Sequence, residues 1–213
     1  MTTTQVRRRY RRIARIYDVA NLEWLLYAAA RKRAIDMLQL QPGARVLDIA
    51  CGTGANFALI EQRIGPTGEL VGVDLTPQML ARARARVGDQ AWKNVRLVEA
   101  DICKSRDLNL GEPFDAAVCT LGLSVIPDWK TAWNAMVSLV RPGGRLAVMD
   151  AGTPEPGQRE VIPRPFARVL ERLFVADCSR RPWRSLLRDT GASVTETFTW
   201  GWVTAASGAK AAS

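Results

Sequence analysis

A carboxylate and two glycines follow one another closely after an apolar segment early in the chain. The segment spans residues 46–50 and contains Asp48, and it leads directly into a turn that carries Gly52 and Gly54. Glycine lets the backbone turn sharply and approach a ligand without a Cβ in the way. The helix expected after the turn offers unpaired N–H groups at its first residues. This pattern is typical of the mouth of a nucleotide-type cofactor site.

The charge of Asp48 indicates which ligand such a site would take. A pyrophosphate would meet a fixed negative charge, whereas a ligand that carries an ammonium and a sulfonium would be attracted. The third glycine of the dinucleotide pattern G-x-G-x-x-G is also missing, because Phe57 occupies that position. We therefore predict S-adenosylmethionine (SAM), and not NAD, as the cofactor.

Two further carboxylates follow predicted strands at a similar spacing. Asp74 comes after the apolar segment Glu69–Val73, and Asp101 comes after Asn94–Ala100. In an open parallel α/β sheet, a ligand lies across the carboxyl ends of neighbouring strands. We therefore predict that Asp74 binds the ribose hydroxyls and that Asp101 reaches the adenine amino group. Three apolar side chains are expected near the adenine faces, namely Leu75, Met79 and Ile102.

These motifs together resemble those of class I SAM-dependent methyltransferases. The matching segments are D-x-A-C-G-T-G from Asp48, V-G-V-D-L-T-P-x-M-L from Val71 and the pair Asp101-Ile102. Three coincidental acids in another Rossmann-like protein are the alternative. The predicted cofactor-binding residues are Tyr17, Asp48, Ala50, Cys51, Gly52, Thr53, Gly54, Asp74, Leu75, Met79, Asp101, Ile102, Thr120 and Leu121.

The elements that must position these residues alternate between strands and helices from residue 45 to residue 150. Helices are predicted over Ala55–Ile64, over Pro77–Val87 after the N-cap Thr76, and from Asp128 to Val140, where Arg141-Pro-Gly-Gly144 would stop the helix. Further strands are predicted over Phe114–Thr120 and Arg145–Asp150, followed by a hairpin of residues 192–199 and 202–207.

The chain of 213 residues, with 47% apolar and 24% charged residues, fits one soluble domain. The fold class expected is α/β, with a Rossmann-like, mostly parallel seven-stranded sheet, a reversed C-terminal hairpin, helices on both faces and an N-terminal helical lid. Its predicted parts are a basic lid (1–40), a SAM-binding core (41–153), a basic capping insertion (154–190), and the hairpin with a short tail (191–213).

Positive charge is concentrated in two of these parts. Residues 1–33 carry nine Lys or Arg against two acids, and residues 154–188 carry eight Arg against four acids, in a chain of net charge +9. The first segment has an apolar stripe opposite its arginines, which suits either a helix on an anionic membrane surface or a lid packed on the sheet. The stripe is Val6, Tyr10, Ile13, Tyr17, Ala20 and Trp24. The apolar face of the insertion, from Phe166 to Phe174, would roof a hydrophobic pocket or dock on the core.

Features that the sequence lacks narrow the chemistry. The chain has no histidine, and its four cysteines lack C-x-x-C spacing, so we expect no metal and a reducing compartment. No secretory leader and no run of 18 apolar residues is seen. A cytoplasmic protein is predicted, with peripheral contact to the inner membrane face left open.

Methyl transfer requires mainly that an acceptor be aligned and water excluded. The segment from Tyr10 to Asp18 resembles the Y-x-x-I-A-x-x-Y-D segment of quinone and phosphatidylethanolamine methyltransferases. This resemblance implies that Tyr10 and Tyr17 position the acceptor. Aromatic packing beneath the lid is the alternative for both tyrosines.

The small size, the basic N-terminus and the segment Gly201–Gly208 are similar to those of bacterial phosphatidylethanolamine N-methyltransferases. The leading prediction is therefore N-methylation of a lipid-like amine such as a phosphatidylethanolamine headgroup. C- or O-/N-methylation of a quinone or natural product is the alternative. A pI near 10 would suit RNA, but Thr120–Pro127 lacks an N-P-P-Y-type motif, so nucleic acid is disfavoured as a partner. A SAM-binding protein that does not methylate also remains open.

Overall fold

A computed structural model of the protein describes residues 3–5, 27–153 and 177–212. The predicted lid stripe, with Tyr10 and Tyr17, and most of the capping insertion lie outside the described residues. Within them, no helix is long and apolar enough to cross a membrane.

The described helices and strands alternate as predicted between residues 45 and 150, and a further helix precedes them. In chain order they are α1 (Ala28–Met37), β1 (Arg45–Ile49), α2 (Phe57–Ile64), β2 (Glu69–Asp74), α3 (Pro77–Asp89), β3 (Val95–Glu99), a 3₁₀ helix (Ile102–Asp107), β4 (Phe114–Thr120), α4 (Trp129–Leu139), β5 (Val140–Ala151), α5 (Pro182–Asp189), β6 (Gly191–Phe198), a 3₁₀ turn (Thr199–Gly201) and β7 (Val203–Ala209).

The described strands form one seven-stranded sheet in the order β3-β2-β1-β4-β5-β7-β6. The first five are parallel, and β7 is antiparallel to both β5 and β6. The predicted fold class is therefore confirmed, including the reversed hairpin. Ile49, near the end of β1, pairs with Val73 and Cys119, so β1, β2 and β4 end at the same edge of the sheet.

Apolar side chains cover both faces of the sheet, as expected for strands buried on both sides. One face packs with α4 and α5 through Trp133, Met136 and Leu186. The other face packs with α1, α2 and α3, which contribute Ile35, Ile60 and Leu80 among others. This two-sided packing fixes the common edge at which the strand-end residues meet.

Three predicted helix boundaries differ from the structure, and the simplest case is α3, which continues past Val87 to Asp89. Helix α2 begins at Phe57, because residues 52–56 form successive turns and Ala55 is still part of them. Val140, predicted to end α4, instead opens β5 and pairs with Phe114. The register between β4 and β5 then shifts, so Arg141-Pro-Gly-Gly144 forms an irregularity within the strand and does not act as a separate loop.

Both predicted N-caps are correct in position, but only Asp128 caps its helix through its side chain. The Asp128 carboxylate accepts a hydrogen bond from the Thr131 N–H at 3.2 Å, as an N-cap should. Thr76 is the residue before α3, and Pro77 follows it as predicted, but the Thr76 hydroxyl makes no capping hydrogen bond. Thr76 N–H donates instead to the carboxylate of Asp74, two residues earlier.

Helix α1 is anchored to the C-terminal hairpin. The Met37 carbonyl accepts hydrogen bonds from the Ser207 hydroxyl at 3.1 Å and from Arg145 Nε at 3.0 Å. Arg33 forms an ion pair with Glu196 of β6, and Lys32 forms one with Asp36. Lys32 and Arg33, which were counted among the cations of the predicted basic lid, are thus paired with acids of the same chain.

Candidate active site

A cavity of about 320 Å³ opens at the edge where β1, β2, β3 and β4 end. Most of the predicted cofactor-binding residues line it together. These are Ala50, Cys51, Gly52, Thr53, Asp74, Leu75, Met79, Asp101, Ile102, Thr120 and Leu121. Residues from four strand ends thus share one cavity, although they are spread over more than seventy positions of the chain.

The turn after β1 adopts the left-handed backbone conformations that its glycines predict. Gly52 has φ +57°, and Gly54 has φ +80°. A Cβ at Gly54 would lie 2.6 Å from the ring of Phe57, which is fully buried. Phe57, at the position of the third glycine of a dinucleotide site, therefore packs directly beneath the turn. A Cβ at Gly52 would meet only the Ala50 carbonyl oxygen, at 3.9 Å, so the backbone of the turn is open at this residue.

The Asp74 carboxylate connects this turn to the end of β2. Its Oδ2 accepts a hydrogen bond from Gly52 N–H at 2.9 Å, and its Oδ1 accepts one from Thr76 N–H at 2.8 Å. Burial raises the pKa of Asp74 above its ordinary value, and the two backbone donors oppose this rise. Because each carboxylate oxygen can accept a further hydrogen bond, Asp74 is a fixed acceptor suited to paired hydroxyls.

Asp101 lies in the same cavity, at the start of the 3₁₀ helix. Its Oδ1 accepts a hydrogen bond from Cys103 N–H at 3.0 Å, which fixes the carboxylate. The side chains of Met79 and Ile102 are buried, and both line the cavity. An apolar slot with carboxylates at Asp74 and Asp101 suits a flat heterocycle joined to a sugar.

Asp48 and Gly54, in contrast, do not line the cavity. Asp48 is fully buried, and both of its oxygens accept from Asn56 Nδ2, at 2.9 and 3.0 Å. Burial raises the pKa of Asp48 to about 7. The sequence prediction that Asp48 attracts a ligand cation directly is therefore corrected. Asp48 lies one layer beneath the glycine turn, where it accepts hydrogen bonds from Asn56.

Arg31 of α1 is the residue that sequence reasoning missed. It is buried, and its Nη1 donates to Asn56 Oδ1 at 2.6 Å and to Thr120 Oγ1 at 2.5 Å. Among the described residues that line the cavity, Arg31 is the one cation. The available signal was helical spacing, since Arg31 shares its buried face with Ala34, Ile35 and Leu38.

The loop after β4 forms the other wall of the cavity. Leu121 has φ +56°, and Gly122 lies so close to the first turn that a Cβ would be 2.8 Å from Ala50 Cβ. Val125, Ile126 and Pro127 extend this wall with apolar surface. The loop after β1 and the loop after β4 thus meet. The loop after β4 lines an apolar half of the cavity, which lies beside the half lined by the predicted cofactor-binding residues.

This second loop is held from two sides. Asp150, fully buried at the end of β5, accepts from Ser124 N–H at 2.8 Å, and burial raises its pKa to about 6. Arg180 donates through Nη1 to the carbonyls of Leu123 and Ile126. Arg180 Nε in turn donates to Asp177, whose own N–H donates to the Ser124 carbonyl. The conformation of the apolar wall is therefore fixed by residues outside the cavity.

The sheet order with its reversed hairpin, the glycine turn and the successive strand-end acids define a class I SAM-dependent methyltransferase. The sequence model of the "ubiE/COQ5 methyltransferase family" matches residues 1–166. The chain belongs to this family.

Similar proteins agree with that assignment. A demethylmenaquinone methyltransferase of Listeria welshimeri is 30% identical over 179 residues, which cover 80% of this chain and 74% of the relative. A SAM-dependent methyltransferase structure from Aquifex aeolicus has a TM-score of 0.63 at 16% identity, covering 92% of this chain and 96% of its own. Phosphoethanolamine N-methyltransferase 2 of Haemonchus contortus in complex with SAM has a TM-score of 0.64 at 15% identity, covering 84% and 52%. Both structures show similarity of fold.

Proposed function

We propose that this SAM-dependent methyltransferase methylates the ring of an apolar, quinone-type acceptor in its reduced form. The observation that carries the proposal is the apolar wall of Val125, Ile126 and Pro127 directly beside the cofactor half of the cavity. A flat apolar ring can be buried there at little cost, whereas a charged headgroup amine would lose its hydration. The demethylmenaquinone methyltransferases among the relatives support this alternative over the leading sequence prediction of headgroup N-methylation.

The residues present fit SAM at the ends of β1, β2 and β3. Gly52 would let the backbone approach it, Asp74 would accept from the ribose hydroxyls, and Asp101 would accept from the adenine amino group. Arg31 supplies positive charge for the one carboxylate of the ligand. When bound, SAM supplies an electrophilic methyl group on a sulfonium. Tyr10 and Tyr17 remain proposed positioning residues for the acceptor.

The protein would align the acceptor with the methyl group of SAM and would provide an ionised carboxylate, that of Asp128, next to the acceptor. The apolar wall and the first glycine turn lie close together at Gly122 and Ala50, so an acceptor against the wall would lie beside the proposed cofactor. Asp128 borders the apolar wall, and its hydrogen bonds with Thr131 lower the pKa of its carboxyl group. Asp128 is thus charged at neutral pH and can accept a hydrogen bond from an acceptor hydroxyl, which favours electron release into the ring.

The test is to supply the purified protein with methyl-labelled SAM and to follow the label. Four acceptor pools are compared: a demethylated naphthoquinol with a short isoprenoid chain, phosphatidylethanolamine vesicles, a polar small-molecule extract and total RNA. We expect label in the quinol ring and a matching release of S-adenosylhomocysteine. Label in phosphatidylethanolamine would restore the N-methylation hypothesis, and label only in the polar extract would favour a natural-product acceptor. Label in RNA would refute the quinone proposal, and no label with no product in any pool would favour the non-methylating alternative.

A further inference from the structure

Asp150, next to the last residue of β5, is a buried acid that supports the apolar wall from behind. Its Oδ2 accepts a hydrogen bond from Ser124 N–H at 2.8 Å, and its Oδ1 accepts one from Ala151 N–H at 2.9 Å. Ser124 immediately precedes Val125, the first residue of the apolar wall. One carboxylate oxygen is therefore fixed to β5 itself, and the other holds the backbone of the loop that carries the wall.

Ser124 is held on both sides of its backbone. Its N–H is bonded to Asp150, and its carbonyl accepts a hydrogen bond from Asp177 N–H at 3.0 Å, while the Asp177 carboxylate pairs with Arg180. The N–H groups of the two residues after Ser124 donate to the Gly122 carbonyl at 3.0 and 2.9 Å. Ser124 thus lies inside a tight turn, so a displacement of Ser124 would be transmitted to the apolar wall.

Among the described residues, the groups that face Asp150 come from β4, from β7 and from the segment before α5. Arg180 acts on Asp150 through its positive charge. In β4, burial raises the pKa of the Cys119 thiol well above its ordinary value, and the charges of Asp150 and Asp48 raise it further, so this thiol stays neutral. In β7, Thr204 lies opposite Asp150 and does not titrate. Asp150 is therefore the acid at this position that changes its charge near neutral pH.

The protonation state of Asp150 is coupled to the position of Ser124. Burial raises the pKa of Asp150 to about 6, and the hydrogen bonds from Ser124 and Ala151 and the charge of Arg180 oppose this rise. Because the hydrogen bonds favour the ionised form, ionisation of Asp150 and the held position of Ser124 stabilise one another. Below pH 6 the neutral acid binds the Ser124 N–H more weakly than the carboxylate does.

We propose that Asp150 is a positioning residue for the methyl acceptor, which acts through Ser124 and makes acceptor binding at the apolar wall sensitive to pH. The acceptor is bound more tightly when Asp150 is ionised, because the wall is then held in place. The inference rests on the proposed function in one respect, since it takes the apolar wall to be the acceptor site. The state of the loop itself can be measured without acceptor or turnover.

The experiment compares wild type with Asp150→Asn, which keeps the shape of the side chain and removes its charge. The matched control is Asp115→Asn at the other end of β4, since the Asp115 carboxylate also accepts a backbone N–H, from Arg45 at 2.7 Å. Although burial opposes the effect, the hydrogen bonds from Arg45 and Arg141 keep the pKa of Asp115 below its ordinary value, so Asp115 does not titrate near pH 6.

Two quantities are measured from about pH 5 to about pH 8. The first is the protection of the amides of residues 121–127 against hydrogen exchange without acceptor, corrected for the intrinsic exchange rate at each pH. The second is the KM for a water-soluble short-chain quinol at saturating SAM. Asp128, which also lines the cavity, stays ionised over this range, because its hydrogen bonds with Thr131 lower its pKa. Circular dichroism checks that each variant folds.

We expect the KM of wild type to rise about fivefold as the pH falls through 6, with a parallel loss of amide protection and little change in kcat. Asp150→Asn should keep the high KM and the low protection at every pH, whereas Asp115→Asn should follow wild type. A pH-dependent KM that persists in folded Asp150→Asn would overturn the proposal, as would a wild-type KM that does not change with pH.

A second variant keeps the proposal testable if Asp150→Asn does not fold. Arg180→Met removes the positive charge that lowers the pKa of Asp150, so the rise in KM should begin at a higher pH than in wild type. A rise at an unchanged pH would overturn the proposal. Absence of quinol turnover, together with a pH-dependent loop protection that disappears in Asp150→Asn, would refute the proposed function alone.

Discussion

The Asp74 carboxylate has two roles that can be separated by substitution. It fixes the glycine turn through Gly52 N–H, and it faces the cavity in which SAM is proposed to bind. Replacement by Ala removes all of its acceptors, so we expect SAM affinity measured by calorimetry to fall about 10- to 100-fold, since a hydrogen bond to a charged group contributes about 1.5–3 kcal/mol. Asp89→Asn, at the exposed end of α3, is the control and should bind normally. Unchanged SAM affinity in a folded Asp74→Ala protein would refute the proposed ribose contact.

Asp48 makes a prediction about pH and stability. Burial raises the pKa of Asp48 from 3.8 to about 7, so the folded state favours the neutral acid while the unfolded chain ionises near pH 4. The stabilisation from this group is complete below about pH 4 and is lost as the pH rises toward 7, at no more than ~1.4 kcal/mol per pH unit.

The measurement for Asp48 is the free energy of unfolding by urea, taken at several pH values between 4 and 8. Asp48→Asn should give a shallower decline than wild type across this range. The absolute stability of the variant is not the test, because Asn also changes the pairing with Asn56. Parallel pH profiles for the two proteins would contradict the raised pKa.

The positions of some site residues could be predicted from the sequence, whereas those of others could not. Asp74 is the last residue of β2 and Asp101 lies two residues after β3, so the position of each strand end was sufficient to place them in the cavity. Asp48 lies within β1, and its side chain points under the turn because Asn56, eight residues later, satisfies both oxygens. A charge pattern could not indicate this, nor could it distinguish buried Arg31 from its neighbours Lys32 and Arg33, which form ion pairs.

At the level of elements, the loop after β4 depends on a segment more than fifty residues further along the chain. Arg180 donates to two of its carbonyls, and Asp150 accepts from Ser124 N–H. Arg180→Ala should loosen the apolar wall and raise the KM for the acceptor several-fold. SAM affinity should stay within twofold, since Gly52, Asp74 and Asp101, which are proposed to hold SAM, lie at the ends of other strands.

A water-soluble quinol is the appropriate acceptor for this measurement, because it makes membrane contact irrelevant. Arg188→Ala serves as the control, since Arg188 pairs with Asp189 and does not contact the loop. An equal loss of kcat and SAM affinity in Arg180→Ala would instead indicate a general loss of structure.

The strands and helices could be predicted from the sequence where an apolar segment and the turn residues on either side of it indicated the same boundaries. The parallel strands β1 to β4 are apolar segments bounded by turns, and each was located within one or two residues. The junction of α4 and β5 was less predictable, because Val140 suits the apolar stripe of a helix and a β-strand equally well. Pairing with Phe114 in β4 decides between them, and that contact is not local.

At the scale of the whole molecule, alternation of strands and helices predicts an α/β protein, but not the order of its strands. The resemblance to class I methyltransferases implied seven strands and a reversed C-terminal hairpin, which the structure confirms, whereas the strand order comes from the structure alone. The charge count was less informative, because it does not distinguish cations that form ion pairs with acids of the same chain from cations that do not. Only contacts between distant elements, such as Arg33 with Glu196, separate the two groups.

The attachment of α1 to the C-terminal hairpin has a consequence for biosynthesis. Arg31 reaches the cavity from α1, while Met37 at the end of that helix is bonded to Ser207, 170 residues later. During translation α1, the glycine turn and the strand-end acids all emerge before β7, which holds α1 in place through Ser207. The nascent chain therefore cannot assemble the complete site until β7 has been synthesised, so a translation product interrupted before β7 should be catalytically inactive.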